Sequence, residues 1–350
     1  MNARPHCVIV LMVMSAVLLG ACERKAQEET KPDVQISGAG ATFPAPLYQK
    51  WIEEYLKIHP DKAIFYASVG SGEGIRKFLK QEVDFAGSDA ALTDEEMGKV
   101  ERGVKLIPAT AGIIVLAYNL KGLNGPLKLP RDVYVDIFTG KMTAWNDARL
   151  QRANPNLKLP PTNIVLVTRL DSSGTTFAFT NHLSAVSKAW RDRGPGTGKL
   201  IKWPANTMSA RGNEGVAGRI KVSEGSIGYV EYGFAQRAGL ASAWLENKTG
   251  RFIEPSPSNG QAALTHSEGD MPASLRMFLP DPPGEDSYPI VTYTWMLLYG
   301  KYPEQSKGTL VKDFVKWGLS EGQHHSEALG FCNLPASIVG LAFRAVDEIR

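Results

Sequence analysis

From Val34 onward, short apolar runs alternate with stretches of helical periodicity, and this alternation restricts the possible folds more than any other feature of the chain. Val34 to Ser37 reads as a strand, and Pro44 to Ile58 follows with Leu47, Trp51 and Tyr55 at i, i+4 and i+8 on one helical face. Ala63 to Ala67 is strand-like again, Ile75, Phe78 and Leu79 mark a short helix, and Phe85 to Ser88 is a further strand. Thr93 and Glu96 have the spacing of a capping box that opens another helix. Ile113 to Tyr118 is a continuous apolar run suited to a strand buried on both faces. Ile164 to Thr168, a helix from Thr175, and Ile227 to Tyr232 continue the pattern, while Gly- and Pro-rich stretches at 194–215 and 255–290 read as long surface loops. The alternation predicts α/β layers with largely parallel sheets. A length of 350 residues predicts two domains or one large one.

The amino end carries an address. Arg4 precedes an apolar run from Cys7 to Ala21, which at about fifteen residues is short for a membrane span and has the form of an export signal. The run ends in Leu19-Gly20-Ala21-Cys22, which resembles the lipobox of lipoproteins, where small residues fit the signal peptidase and the cysteine is lipidated. The expectation is a signal peptide over 1–21, lipidation at Cys22 and a charged, solvated tether over 22–33. The mature protein would then be anchored by lipid to a membrane, in the periplasm or at the cell surface. A plain secretory signal with a chance cysteine is the alternative. Lys and Arg number 39 against 36 Asp and Glu with no clustered basic stripe, which argues against nucleic acid as a partner. Cys7, Cys22 and Cys332 are too few for a disulfide framework or a closed zinc site, so Cys332 is expected to be a buried, inert thiol.

Three segments repeat one design of strand, hydroxyl- and glycine-bearing turn, then helix: Ser37 to Pro44, Gly70 to Gly74, and Asp171 to Thr176. A helix N-terminus offers unpaired N–H groups and partial positive charge, glycine lets an anion approach the backbone, and hydroxyls add donors. A single such turn is ordinarily an N-cap. Three of them, with no metal ligands nearby, point to a tetrahedral oxyanion held mainly by neutral donors, with neither metal nor cofactor. The dinucleotide fingerprint fails at Phe43 and at Ile75, where glycine is required. Gly198-Lys199 fails as a P-loop because Arg193 and Leu200 stand at the required Gly and Ser/Thr. The histidines His6, His59, His182, His266, His324 and His325 contain no HExxH and read as surface or packing residues.

Gly38-Ala39-Gly40-Ala41-Thr42-Phe43-Pro44-Ala45-Pro46 closely resembles the opening of the phosphate-binding proteins of bacterial phosphate ABC transporters. The resemblance continues through Asp84 to Ala90, Asn154 to Pro160, Arg169 to Phe177, Lys202-Trp203-Pro204 and Ile227 to Tyr232. It implies a two-lobed periplasmic-binding-protein fold, type II-like, that closes on one inorganic phosphate and delivers it to the transporter's permease. It also implies the ligand set. Thr42 and Phe43 match the first-turn donors, Phe43 through its backbone N–H, and Ser71 matches the second turn. Asp89 matches the aspartate after the third strand, expected to select phosphate over sulfate by accepting phosphate's proton. Arg169, Asp171, Ser173, Gly174 and Thr175 match the last cluster. One departure is Gly72-Glu73-Gly74, where the family commonly has Ser-Gly-Gly; at a helix first turn Glu73 can point outward. Lobe one is expected over 34–112 and 293–350 and lobe two over 113–292, with two crossing segments as hinge. Arg169 and Asp171, two apart in an extended turn, are expected to pair.

The chain is therefore expected to be a receptor and not an enzyme. An exported phosphomonoesterase would need a metal pair or an activated nucleophile, but Ser173 is not in a GxSxG elbow and has no assignable base. A non-transport lipoprotein of the same fold remains the other alternative.

Overall fold

The computed structural model describes residues 32–205 and 207–350. The chain starts with β1 (Val34–Gly40), α1 (Ala45–Ile58), β2 (Lys62–Ser68), α2 (Ser71–Leu79), β3 (Phe85–Ser88), α3 (Asp94–Gly98) and β4 (Val104–Asn119). It continues through β5 (Lys128–Leu129), α4 (Arg131–Phe138), α5 (Ala148–Ala153), β6 (Val165–Arg169), α6 (Gly174–Val186), α7 (Lys188–Arg193), β7 (Thr207–Ala210) and α8 (Gly212–Val222). The remainder is β8 (Ser226–Glu231), α9 (Tyr232–Ala238), β9 (Ala241–Ser242), β10 (Trp244–Glu246), β11 (Phe252–Ile253), α10 (Pro257–Thr265), β12 (Val291–Tyr299), α11 (Gln305–Leu319) and α12 (Ala336–Asp347). The signal peptide, Cys22 and the tether up to residue 31 lie outside the described residues.

Local chemistry accounts for the early elements. Leu47, Trp51 and Tyr55, the predicted face of α1, are buried, and Trp51 Nε1 donates to the Gly322 carbonyl at 2.8 Å. α3 opens with the predicted capping box: Glu96 N–H donates to Thr93 Oγ1 at 3.2 Å and Thr93 N–H to the Glu96 carboxylate at 2.9 Å.

The main sheet follows the order β2-β1-β3-β12-β4-β8-β6-β7, with β9 beside β4, and a small sheet orders β11-β10-β5. β1 pairs parallel with β2 and β3, and β6 pairs parallel with β7 and β8. The expectation of largely parallel pairing fails in the middle, where β12 runs antiparallel to β3 and β4, and β4 antiparallel to β8. The reason is connectivity. β4 is a strand of 16 residues that pairs with β12 up to Ile113 and with β8 from Ile114 onward. It thus joins the β2-β1-β3-β12 side of the sheet to the β8-β6-β7 side.

The apolar run at Ile113 to Tyr118 is thus only the second half of β4. Its first half contains Pro108, and there the pairing with β12 shifts register, so that Thr294 faces Thr110 while Trp295 faces Pro108. Ala109 is the extra residue of this bulge, and its carbonyl accepts from Gln323 Nε2 at 2.8 Å.

Two stretches expected as loops contain structure. Residues 194–215 include β7 and the start of α8, and 255–290 include α10 and a short 3₁₀ turn at Glu268–Asp270. β7 is an edge strand without an apolar run, and α10 buries mainly small residues, so neither shows a clear hydrophobic period. Cys332 is buried as expected. Its Sγ lies 3.4 Å from the Pro257 carbonyl, and burial pushes the thiol up to about 12.

Candidate anion site between the lobes

β1 ends beside β3 at a contact only glycine allows: a Cβ on Gly40, where φ is +150°, would lie 2.1 Å from the Gly87 carbonyl oxygen. The close approach continues to α2, because a Cβ on Gly74 would lie 2.4 Å from Gly40 Cα. The departure at 72–74 is thereby explained. Gly74 serves packing, Gly72 N–H donates to the Ser172 carbonyl at 3.0 Å, and Glu73 turns outward to Arg76 at 2.7 and 2.8 Å.

The turns before α1, α2 and α6 converge where the two lobes meet. Thr42, Phe43, Ser71, Ser173, Gly174 and Thr175 are all buried. The N–H groups of Phe43, Ser71, Gly174 and Thr175 find no acceptor among the described residues. Buried N–H groups without partners are rare, and several aimed together from helix starts form an anion-binding cradle. Phe43 contributes backbone only, since its ring packs on Phe331 at 5.9 Å. Ser173 Oγ is the N-cap of α6, accepting from Thr176 N–H at 3.1 Å.

Asp89 lies at the end of β3 and is 1% exposed. Its Oδ1 accepts from Thr294 Oγ1 at 2.8 Å, next to the β3–β12 pair in which Trp295 faces Ser88, and its Oδ2 lies 3.5 Å from Thr175 Oγ1. Burial pushes the Asp89 carboxyl up to about 7, against the opposing pull of Thr294, Arg169 and Thr175. Arg169 and Asp171 form the expected pair, buried and bidentate, with Nε to Oδ1 at 2.8 Å and Nη2 to Oδ2. Burial pushes Asp171 up, yet the guanidinium and the Gly212 N–H at 3.1 Å outweigh it and hold the carboxyl below its ordinary range. Both Asp171 oxygens are therefore occupied by protein donors, and the residue orients Arg169, whose Nη1 reaches Thr175 Oγ1 at 3.4 Å.

Comparison with known proteins decides the family. The profile of the PBP superfamily domain matches residues 25–321. The phosphate-binding protein PstS of Haemophilus influenzae is 39% identical over 87% of this chain and 90% of its own length. PstS of Methanocaldococcus jannaschii is 35% identical over 98% of this chain and 94% of its own length. The chain belongs to the PstS phosphate-binding protein family. Among solved structures, the phosphate-binding protein of Stenotrophomonas maltophilia superposes with a TM-score of 0.70 at 21% identity, covering 89% of this chain and 93% of that one, and shares the two-lobed fold.

In this PstS-family chain the lobes stand shut. Besides the Gly72–Ser172 bond, Lys199 reaches Glu96 at 3.4 Å, and Arg276 reaches Asp94 at 2.7 Å and the Leu92 carbonyl at 2.9 Å. A cavity of about 650 Å³ lies beside the turns before α1, α2 and α6, lined by Thr42, Glu73, Arg76, Asp171, Arg211 and Glu214. All the residues expected from the motifs gather at this boundary. Two further ones were not legible as site residues. Thr294 lies in β12, far along the chain, and Asn213 is in the first turn of α8. Arg211-Gly212-Asn213 did carry a signal, since it is a fourth glycine turn ahead of a helix.

Proposed function

We propose that this protein is the receptor that binds inorganic phosphate outside the inner membrane and delivers it to the permease of a phosphate ABC transporter. The observation that carries this reading is the set of buried N–H groups at Phe43, Ser71, Gly174 and Thr175, without partners among the described residues, together with the buried carboxyl of Asp89, which lies beside Ser71 and Thr175. Donors suit an oxyanion, and a lone buried acceptor among them suits an oxyanion that keeps a proton. Family membership supports the same reading and a periplasmic location. Anchoring through a lipidated Cys22 belongs to the proposal, as do moving bodies at 34–112 with 293–350 and at 113–292. The change of pairing partner at Ile113/Ile114 supports that division.

Esterase chemistry is disfavoured by the histidine nearest to Ser173 in sequence. His182 is buried between Tyr134 Oη at 2.8 Å and the Pro280 carbonyl at 2.5 Å, and burial pushes its pKa down to about 4. It is a packing residue with no nitrogen left to activate Ser173. Calorimetry with phosphate, arsenate and sulfate, together with a chromogenic phosphate ester, tests the reading. Tight, saturable phosphate binding without ester turnover is expected, whereas turnover without retained phosphate would refute it.

Arg169→Met should weaken phosphate binding by about 10- to 100-fold, the loss of a charge-assisted bond to an anion. It should also destabilise the fold by about 3–5 kcal/mol, because Asp171 is left buried without its partner. Unchanged affinity in the calorimeter would remove Arg169 from the site.

A further inference from the structure

We propose that Asn213 is a positioning residue that fixes the direction of the hydroxyl protons of Thr42 and Thr175, one on each lobe, so that both point their protons toward the anion or toward Asp89. The inference rests on the phosphate-receptor reading above.

Asn213 is fully buried at the first turn of α8. Its Oδ1 accepts the backbone N–H of Glu231 at 3.1 Å. That N–H can only donate, so it fixes which way the amide is turned and leaves Nδ2 facing the cleft. Nδ2 donates to Thr42 Oγ1 at 2.9 Å and to Thr175 Oγ1 at 3.3 Å, and Asn213 N–H adds a second donation to Thr42 Oγ1 at 3.2 Å.

A threonine hydroxyl has one proton to give and two lone pairs to receive with. Thr42 Oγ1 has both lone pairs filled by Asn213, so its proton is excluded from that side and directed into the site. Thr175 Oγ1 receives from Asn213 Nδ2 and from Arg169 Nη1, and its proton is left for Asp89 or the bound anion. Without Asn213 each hydroxyl could turn its proton away and offer an oxygen instead, which repels an anion. A ligand rich in acceptors is thereby favoured. Because Thr42 and Thr175 sit on opposite lobes, the full arrangement exists only when the cleft is shut.

The test is a double-mutant cycle read by phosphate calorimetry, with thermal melting of the ligand-free proteins as the control for folding. Asn213→Ala is expected to weaken phosphate binding by about 10- to 100-fold, the scale of misdirected bonds to a charged ligand. In a Thr42→Ala, Thr175→Ala background the same substitution should change affinity by less than about threefold, since no hydroxyl remains to orient. Asn213→Asp has the same shape but offers acceptors where the amide offers donors. It should weaken binding more than Asn213→Ala does, even where the two variants melt alike. An equal loss from Asn213→Ala in both backgrounds would overturn the proposal, as would Asn213→Asp binding as tightly as wild type. A wild-type protein that folds but takes up no phosphate would overturn the receptor reading itself, a result distinct from uncoupled variants of a binding-competent protein.

Discussion

Gly174→Ala is expected to hold the cleft open and to weaken phosphate binding by about 100-fold or more. A Cβ at Gly174 would lie 2.4 Å from Ser71 Oγ, 2.7 Å from Asp89 Cβ and 2.8 Å from Asp89 N. Each of these atoms belongs to the facing lobe, and two of them are fixed by the chain beyond β3. The three atoms nearest to the methyl group thus all lie across the cleft, and the collision with them arises on closure. Holding the lobes apart removes several donors from the anion at once, each worth about 1.5–3 kcal/mol when the acceptor is charged. Two such losses already amount to about 100-fold or more. The ligand-free protein should melt close to wild type, because alanine is a better helix former than glycine at the start of α6. Calorimetry and solution scattering would check this. A variant that binds phosphate as wild type does and compacts normally would show that the lobes need not meet at Gly174.

Asp89→Asn should admit sulfate. Phosphate near neutral pH keeps a proton and can donate it to a carboxylate, whereas sulfate has none, and opposite an ionised Asp89 it meets only lone pairs and charge. Leaving a buried polar group unpaired costs about 1–3 kcal/mol and more when it is charged, so discrimination of several powers of ten is expected from this one residue. An amide can turn its NH₂ toward a proton-free oxyanion. Sulfate affinity should therefore rise by about 100-fold in the variant, and a variant that excludes sulfate as strongly as wild type would show that selection lies elsewhere.

The same substitution makes a second prediction through pH. Burial raises the Asp89 carboxyl in the folded protein to about 7, while an unfolded aspartate titrates near about 4. The folded state thus holds the proton more tightly, and its stability falls as pH rises from about 4 through about 7. Asparagine carries no such penalty. Ligand-free Asp89→Asn should melt above wild type at pH 8, by an amount on the order of a few kcal/mol, and the gap should close toward pH 4. Wild-type discrimination against sulfate should likewise weaken as Asp89 gains its proton below about pH 7. Melting curves that stay parallel across this range would contradict the assignment.

Whatever depends on neighbours in the chain was already present in the sequence. Leu47, Trp51 and Tyr55 are spaced to bury one face of α1, and they do so. Thr93 and Glu96 are three apart and close a capping box, and Arg169 and Asp171 are two apart and pair. The turns before α1, α2 and α6 could be recognised because glycine and hydroxyl residues are what a helix start needs to present donors outward. In each case the interaction is made within a turn or two of backbone, so spacing alone determines it.

Tertiary structure decided what depends on residues far apart. The sheet's antiparallel centre follows from two crossing strands that run in opposite directions, β4 and β12, and no local pattern encodes which strands will lie side by side. The pairing of β12 with β3 brings Thr294 to Asp89, 205 residues away in sequence, and Asn213 reaches Thr42 across 171. The proton affinity of Asp89 is of the same kind. A carboxyl flanked by serine and alanine has nothing in its own segment to lift it to about 7; the shift comes from burial in the folded protein, which outweighs the pull of Thr294, Arg169 and Thr175.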